Sequence, residues 1–213
     1  MTPADYDAWY DTPRGRWIGE TEYALASRLL APQAGDSLLD VGCGTGWFTR
    51  RADADELVAT GLDSSAAALA YARAQSGPTL NWAAGDARDL PFVDAGFDHV
   101  LSIAALCFVA DERQAVTEIV RVARRRFAIG WLNRHSMLYR EKGRDGGRGA
   151  YRGAHWHTAE EVRALFTGLP VARLALRSAI FLPSATRWAR RLERVMPAAL
   201  PWGGMLFVTG GKT

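Results

Sequence analysis

The chain has 213 residues, 48% of them hydrophobic and 23% charged, enough for one ordinary folded domain and unlike a disordered chain. Two cysteines 64 positions apart, Cys43 and Cys107, exclude a disulfide-dense module and a cysteine-based zinc site. The net charge of +3 hides a segregation, with 8 basic and 18 acidic side chains in residues 1–120 against 18 and 5 in residues 121–213, and such segregation points to an anionic partner or surface.

Residues 1–36 form a cap segment that begins acidic and aromatic, without the basic and apolar stretches of a signal peptide. No apolar run is long enough for a membrane span, so the expected compartment is the cytoplasm. Ser37–Val41 is a short apolar strand, and Trp47 to Ala52 reads as a helix after a glycine loop. Leu57 to Leu62 is a second strand, followed by an alanine-rich helix capped by Ser64 or Ser65 and running to about Gln75. Thr79 to Ala84 and Phe97 to Ile103 are the third and fourth strands. Asp111 with Gln114 resembles a capping box opening a helix to about Ala123, and Arg126 to Leu132 is the fifth strand. Strands alternating with helices at this spacing predict an α/β fold with a parallel sheet over residues 37–132.

The pattern changes at residue 133. Residues 134–157 hold five glycines (143, 146, 147, 149 and 153) without a clear period, which reads as a lid loop with a short helix near Met137 to Lys142. In residues 158–213, Thr158 and Glu161 form a capping box for a helix to about Phe166, and Val171–Phe181 and Met205–Val208 read as strands. Between them, Ser184 to Met196 carries Trp188, Leu192 and Val195 at helical spacing, with Arg187, Arg190, Arg191 and Arg194 on other faces. The expected arrangement packs that apolar stripe on the sheet, with the arginines meeting the acidic half of the chain. The same composition would also suit shallow contact with an anionic membrane surface. No linker divides the chain, so it reads as a single domain.

The informative stretch is Leu38-Leu39-Asp40-Val41-Gly42-Cys43-Gly44-Thr45-Gly46. A hydrophobic strand delivers an acidic residue and three glycines into a helix, letting the backbone turn sharply and approach a ligand closely. Asp63 ends the second strand, where a carboxylate can accept from both hydroxyls of a ribose, with Ser64 beside it. Gly85-Asp86-Ala87 follows the third strand. In open parallel sheets, ligands bind outside the carboxyl ends of the strands at the switch point, and Asp40, Asp63 and Asp86 all fall at such ends. A dinucleotide fingerprint would need glycine where this chain has Trp47, and no G-K-[ST] follows for a P-loop.

In these motifs the chain resembles the class I S-adenosylmethionine-dependent methyltransferases, closest to small-molecule enzymes of the ubiquinone/menaquinone-biosynthesis type, over about residues 36–132. The resemblance implies a Rossmann-like three-layer sandwich with a seven-stranded, mostly parallel sheet whose last two strands form an antiparallel end. It implies that Gly42, Gly44 and Gly46, with Cys43 among them, line the methionyl and adenosyl moieties of S-adenosylmethionine, with Asp40 near the amino group. It further implies Asp63 on the ribose, Asp86 on the adenine amine with Ala87 beside the ring, and Ile103 and Ala104 against the methionine portion. The run Tyr6-Asp7-Ala8-Trp9-Tyr10 is similar to the leading segment of this group, whose aromatics fold over the cofactor; a plain packed helix is the alternative. Two departures stand out. Cys107-Phe108 replace a frequent polar pair after the fourth strand, so no polar acceptor contact is expected there. Arg124-Arg125-Arg126-Phe127 replace an Arg-Pro-Gly-Gly turn, which shortens the connection to the fifth strand.

The expected function is methyl transfer from S-adenosylmethionine to an oxygen, nitrogen or carbon of a small-molecule acceptor, anionic or lipophilic in character. Tyr10, His135, Tyr139, His155 and His157 compete as the catalytic base, and residues 1–17 and 134–157 are expected on the acceptor side. His155 and His157 have H-x-H spacing, but a zinc site needs three or four ligands with a second shell and no cysteine or carboxylate is expected to be arranged nearby, so no metal is expected. Nucleic acid is not an expected partner. Two alternatives remain: an NAD(P)-binding oxidoreductase, and an S-adenosylmethionine-binding protein without turnover.

Overall fold

The computed structural model describes residues 2–212; Met1 and Thr213 lie outside the described residues. Two helices precede the first strand. Helix α1 (Pro3–Asp11) opens on a capping box between Thr2 and Asp5, and helix α2 (Pro13–Leu30) has Thr12 as N-cap and Pro13 in its first turn. Sequence reading does not resolve α2, because Gly15, Gly19 and Glu22 interrupt its apolar stripe of Ile18, Tyr23, Leu25, Ala26 and Leu30. Those interruptions have packing reasons. A Cβ on Gly15 would collide with the Trp9 backbone, and one on Gly19 would press on the rings of Trp47 and Tyr10.

Strand β1 (Ser37–Val41) leads through helix α3 (Trp47–Ala54) to β2 (Val58–Asp63), then through α4 (Ala66–Ala74) to β3 (Asn81–Ala84). Strand β4 (Phe97–Ile103) returns to the other side of β1, followed by α5 (Glu112–Val122), β5 (Ala123–Leu132), α6 (Ala159–Ala164), β6 (Val171–Ala179), α7 (Arg187–Val195) and β7 (Met205–Lys212). The seven strands form one sheet in the order β3-β2-β1-β4-β5-β7-β6. Strand β7 runs antiparallel to both β5 and β6, while the pairings among β1 to β5 are parallel. This is the seven-stranded, mostly parallel α/β fold that the resemblance implies. Leu38 to Val41, Asp98 to Ile103, Phe127 to Leu132 and Met205 to Val208 are buried at every successive residue, as in a sheet covered on both faces.

Several local expectations shift. Asp111 caps α5 through the Gln114 amide, and α5 passes straight into β5 at Ala123, so the turn is not merely shortened but absent. Residues 134–157 are more ordered than a glycine-rich loop suggests. They contain a π-helical turn at Tyr139–Gly143 and a 3-10 turn at Gly149–Tyr151, and Asn133 bridges His157 in parallel. Part of the arginine surplus meets the acidic half at the N-terminal edge of the sheet, where Arg124 pairs with Asp98 and Arg125 bridges Asp36 and Asp98.

Helix α7 corrects the sequence expectation. Trp188 is 74% exposed and Val195 75%, so the stripe does not pack on the sheet. The helix turns Ala189 inward instead, and the Glu193 carboxylate accepts from the amides of Ile180 (2.8 Å) and Phe181 (2.9 Å). Those two bonds fix which face looks in. Among the described residues, none of Arg187, Arg190, Arg191 and Arg194 pairs with a carboxylate; Arg191 lies over the Trp188 ring.

Candidate active site

The strand order reverses between β1 and β4, and a cavity of about 560 Å³ opens there, outside the carboxyl ends of the strands. Its floor is the loop after β1. The Leu62 carbonyl accepts from the amides of Gly42 (2.7 Å) and Cys43 (3.0 Å), which anchors the loop to β2. Gly42 has φ +74°, and a Cβ there would collide with the Ala105 methyl on the loop after β4. The two loops that flank the crevice can therefore touch only because position 42 has no side chain. Gly44 also has positive φ, but a Cβ there would meet no atom within 4 Å, so its backbone faces open cavity.

Asp63 stands at the wall of this cavity. Its Oδ2 accepts from the Gly44 amide and its Oδ1 from the Ser65 amide, both at 2.8 Å, leaving further lone pairs on each oxygen. Cys43, Gly44, Ser64, Ala87, Ile103 and Ala104 line the same space, and so do Tyr6 and Tyr10 of α1. Tyr10 stacks on Trp47 with centroids 4.5 Å apart and planes 15° apart. The tryptophan that excludes a dinucleotide fingerprint is thus the platform that seats α1 over the site. Thr45 also lines the cavity, buried, with a hydroxyl that has no partner among the described residues. Sequence reading passes over it because a threonine between glycines carries no distinguishing pattern.

Two expected cofactor residues sit elsewhere. Asp40 does not line the cavity: it is buried behind the glycine loop, accepting from Thr49 Oγ1 at 2.7 Å, and burial pushes its carboxyl up to about 7. Gly46 is away from the cavity too, packed beneath the Trp82 ring. Asp86 does line it, but its carboxylate is gripped by Arg88 through Nε (3.0 Å) and Nη2 (2.6 Å), which holds its pKa down at about 2. An adenine amine would have to share that carboxylate with Arg88.

A second cavity of about 510 Å³ shares Tyr6, Tyr10, Phe48, Ile103, Ala104 and Phe108 with the first. Trp9, Ile18, Leu132, Leu138 and Met205 make most of its remaining wall apolar, while Arg14, Lys142 and Arg148 add cations. From residues 134–157, Lys142 to Tyr151 contribute Lys142, Arg148, Gly149, Ala150 and Tyr151. Into this apolar space α2 projects Glu22, 7% exposed. Burial, with Glu193 as a lesser like charge, raises its pKa to about 8. The spacing from Ile18 to Glu22 to Tyr23, one face of a helix, is the signal that could have found it once α2 was drawn.

The catalytic candidates divide. Tyr10 lies on the wall common to both cavities. His135 is exposed and lines neither, and Tyr139 packs edge-on against Trp156, outside both linings. His155 and His157 also line neither; they converge on Glu112, with His155 Nδ1 2.9 Å from Oε1 and His157 Nε2 2.6 Å from Oε2. The expectation that no carboxylate is arranged near these histidines is therefore wrong. The fold brings one from 43 residues upstream, beyond the reach of spacing arguments.

Residues 39–126 match the family described as a methyltransferase domain. The chain is 38% identical over 190 residues to an uncharacterized protein of Mycobacterium tuberculosis, covering 84% of this chain and 62% of that protein's length. An O-methyltransferase of Penicillium expansum is 38% identical over 101 residues, 45% of this chain and 37% of its own. In fold, the chain is similar to an S-adenosylmethionine-dependent methyltransferase of Thermotoga maritima, with a TM-score of 0.78 at 22% identity, covering 99% of this chain and 96% of the other. The β1 loop described above thus lies within a segment, residues 39–126, that matches the methyltransferase domain family, on a fold that is similar to that of S-adenosylmethionine-dependent methyltransferases.

Proposed function

We propose that the chain transfers a methyl group from S-adenosylmethionine to a hydroxyl or amine of a small, largely apolar acceptor. The observation that carries this reading is Glu22, a buried carboxyl of raised pKa in an apolar cavity that shares a wall with the cofactor cavity. The first cavity fits the cofactor through the open cradle at Gly44, the unpartnered Thr45 hydroxyl and the two-oxygen acceptor at Asp63. Bound there, S-adenosylmethionine supplies a methyl group made electrophilic by a positive sulfur.

The residues of this chain do the rest. Asp63 and the backbone at Gly44 hold the cofactor; Thr45 donates or accepts once. Tyr10 and Phe48 form the partition across which acceptor and methyl group meet, so alignment supplies much of the rate. Glu22 accepts the proton that the acceptor hydroxyl or amine releases as its new bond to carbon forms and the carbon–sulfur bond breaks. Lys142, Arg148 and Tyr151 close the acceptor side, as a lid over this cavity. In relatives with a polar pair after the fourth strand that segment can contact the acceptor; here Phe108 is apolar, and the polar group comes from α2 instead.

Incubation with isotopically labelled S-adenosylmethionine and a metabolite extract, read by mass spectrometry, should give a labelled small product. Thermal stabilisation by NADH and not by S-adenosylmethionine would overturn the reading in favour of the oxidoreductase. Tight S-adenosylmethionine binding with no transfer to any acceptor would favour a protein without turnover.

Helix α7 supports a lipophilic acceptor met at an anionic surface. Trp188 and Val195 are exposed on the same helix as Arg187, Arg191 and Arg194, none of which is paired with a carboxylate among the described residues. Each basic residue near an anionic bilayer contributes about 1 kcal/mol. The protein should sediment with anionic but not neutral vesicles, in a salt-sensitive manner, and Arg187→Glu with Arg191→Glu should release it. Equal recovery in the supernatant with both vesicle types would remove the surface role.

A further inference from the structure

We propose that Glu112, His155 and His157 form a binding site for a divalent transition-metal ion of the zinc class, separate from both cavities. One ligand atom from each lies within 4.8 Å of the others, the distance over which three donors can share one ion. Three independent features of the fold make this cluster. Glu112 is the first residue of α5, immediately after the Asp111 cap. His155 and His157 sit two apart in an extended segment, which sends both rings to one side, with centroids 4.1 Å apart. The backbone holds them there: the His155 amide donates to the Cys107 carbonyl and the His157 amide to the Leu132 carbonyl, both at 2.8 Å.

The buried charge calls for a cation. Glu112 and His157 are 7% and 2% exposed, and among the described residues no arginine or lysine pairs with Glu112. A buried carboxylate without a fixed cation beside it is costly. Glu112 Oε2 and His157 Nε2 lie 2.6 Å apart without the alignment of a hydrogen bond, and Oε2 has no hydrogen-bond partner among the described residues. Two converging donors with no proton well placed between them are what a shared ion would satisfy. The donor set narrows the ion. Two imidazole nitrogens and one carboxylate disfavour calcium and magnesium, which take oxygen ligands, and suit zinc and its neighbours. His155, with 61% of its side chain exposed, leaves the site open to solvent, so an ion can enter and a coordination position remains free.

The location gives the ion a consequence. It would clamp the end of the 133–157 segment to α5, beside the loop whose Phe108, Val109 and Ala110 line the cofactor cavity. The test uses the full chain without a histidine tag, stripped with chelator and titrated with zinc chloride by calorimetry, and with cobalt(II) chloride by visible absorption. Wild type should bind one zinc per chain at sub-micromolar concentration and give cobalt d–d bands. His155→Ala, a surface change that leaves the core intact, should weaken binding at least ~10-fold, and Glu112→Gln more. Failure of the wild type to bind zinc, or unchanged affinity in both variants, would overturn the site. Circular dichroism of each variant separates loss of ligand from loss of fold.

Discussion

Asp63→Ala is expected to bind S-adenosylmethionine tens-fold or more weakly while keeping its fold. The carboxylate lines the cofactor cavity at the end of β2, and each oxygen retains acceptor capacity beyond the one backbone amide it already serves. Hydrogen bonds to a charged acceptor are worth about 1.5–3 kcal/mol each after exchange with water, so loss of two ribose partners amounts to at most about 3–6 kcal/mol, and loss of one alone to a tenfold or greater fall in affinity. The substitution also frees the Gly44 and Ser65 amides, which loosens the β1 loop. Asp63→Asn separates the effects, since its amide oxygen can still accept from one of those backbone groups. Calorimetry should rank wild type, Asn and Ala in falling affinity, with similar unfolding temperatures. Unchanged affinity in Asp63→Ala would remove Asp63 from cofactor recognition.

What the sequence made legible was the part of the fold governed by local rules. The glycine run after an apolar strand, a carboxylate at the end of β2 and continuous burial in β4 each leave a pattern within ten residues, and the sheet followed from their alternation. Asp40 shows where the rule fails. A carboxylate at a strand end can turn toward the ligand or back under the helix that follows, and Thr49, one turn into α3, draws it back. Glu22 and Glu112 escaped for a different reason. Each is defined by what the fold places opposite it, the second, apolar cavity for one and two histidines from a distant segment for the other. Helix α7 misled because amphipathic spacing predicts a buried face without saying which. Glu193, a charged residue that a hydrophobic pattern counts as surface, anchors the inner face by binding two backbone amides.

Glu22→Gln is expected to lower kcat by about 10²–10⁴-fold while leaving S-adenosylmethionine affinity unchanged, since Glu22 lines only the acceptor cavity. Glutamine keeps the shape and a hydrogen-bonding end but cannot take a proton. The pH dependence identifies the role. Glu22 must be ionised to act, and burial raises its pKa to about 8, so wild-type kcat/KM should rise with pH through that region. That limb should be missing from the residual activity of Glu22→Gln. Stability supplies an independent check with a definite sign. A carboxyl whose folded pKa lies above its ordinary value of 4.5 binds its proton more tightly in the folded state. Its stabilising contribution is complete below pH 4.5 and is lost as pH rises toward about 8. Wild type should therefore lose stability relative to Glu22→Gln between pH 5 and pH 9, read as converging or crossing denaturant midpoints. A variant with normal kcat and an unaltered pH profile would show that the acceptor releases its proton directly to solvent. In that outcome the buried carboxyl serves only to shape the cavity.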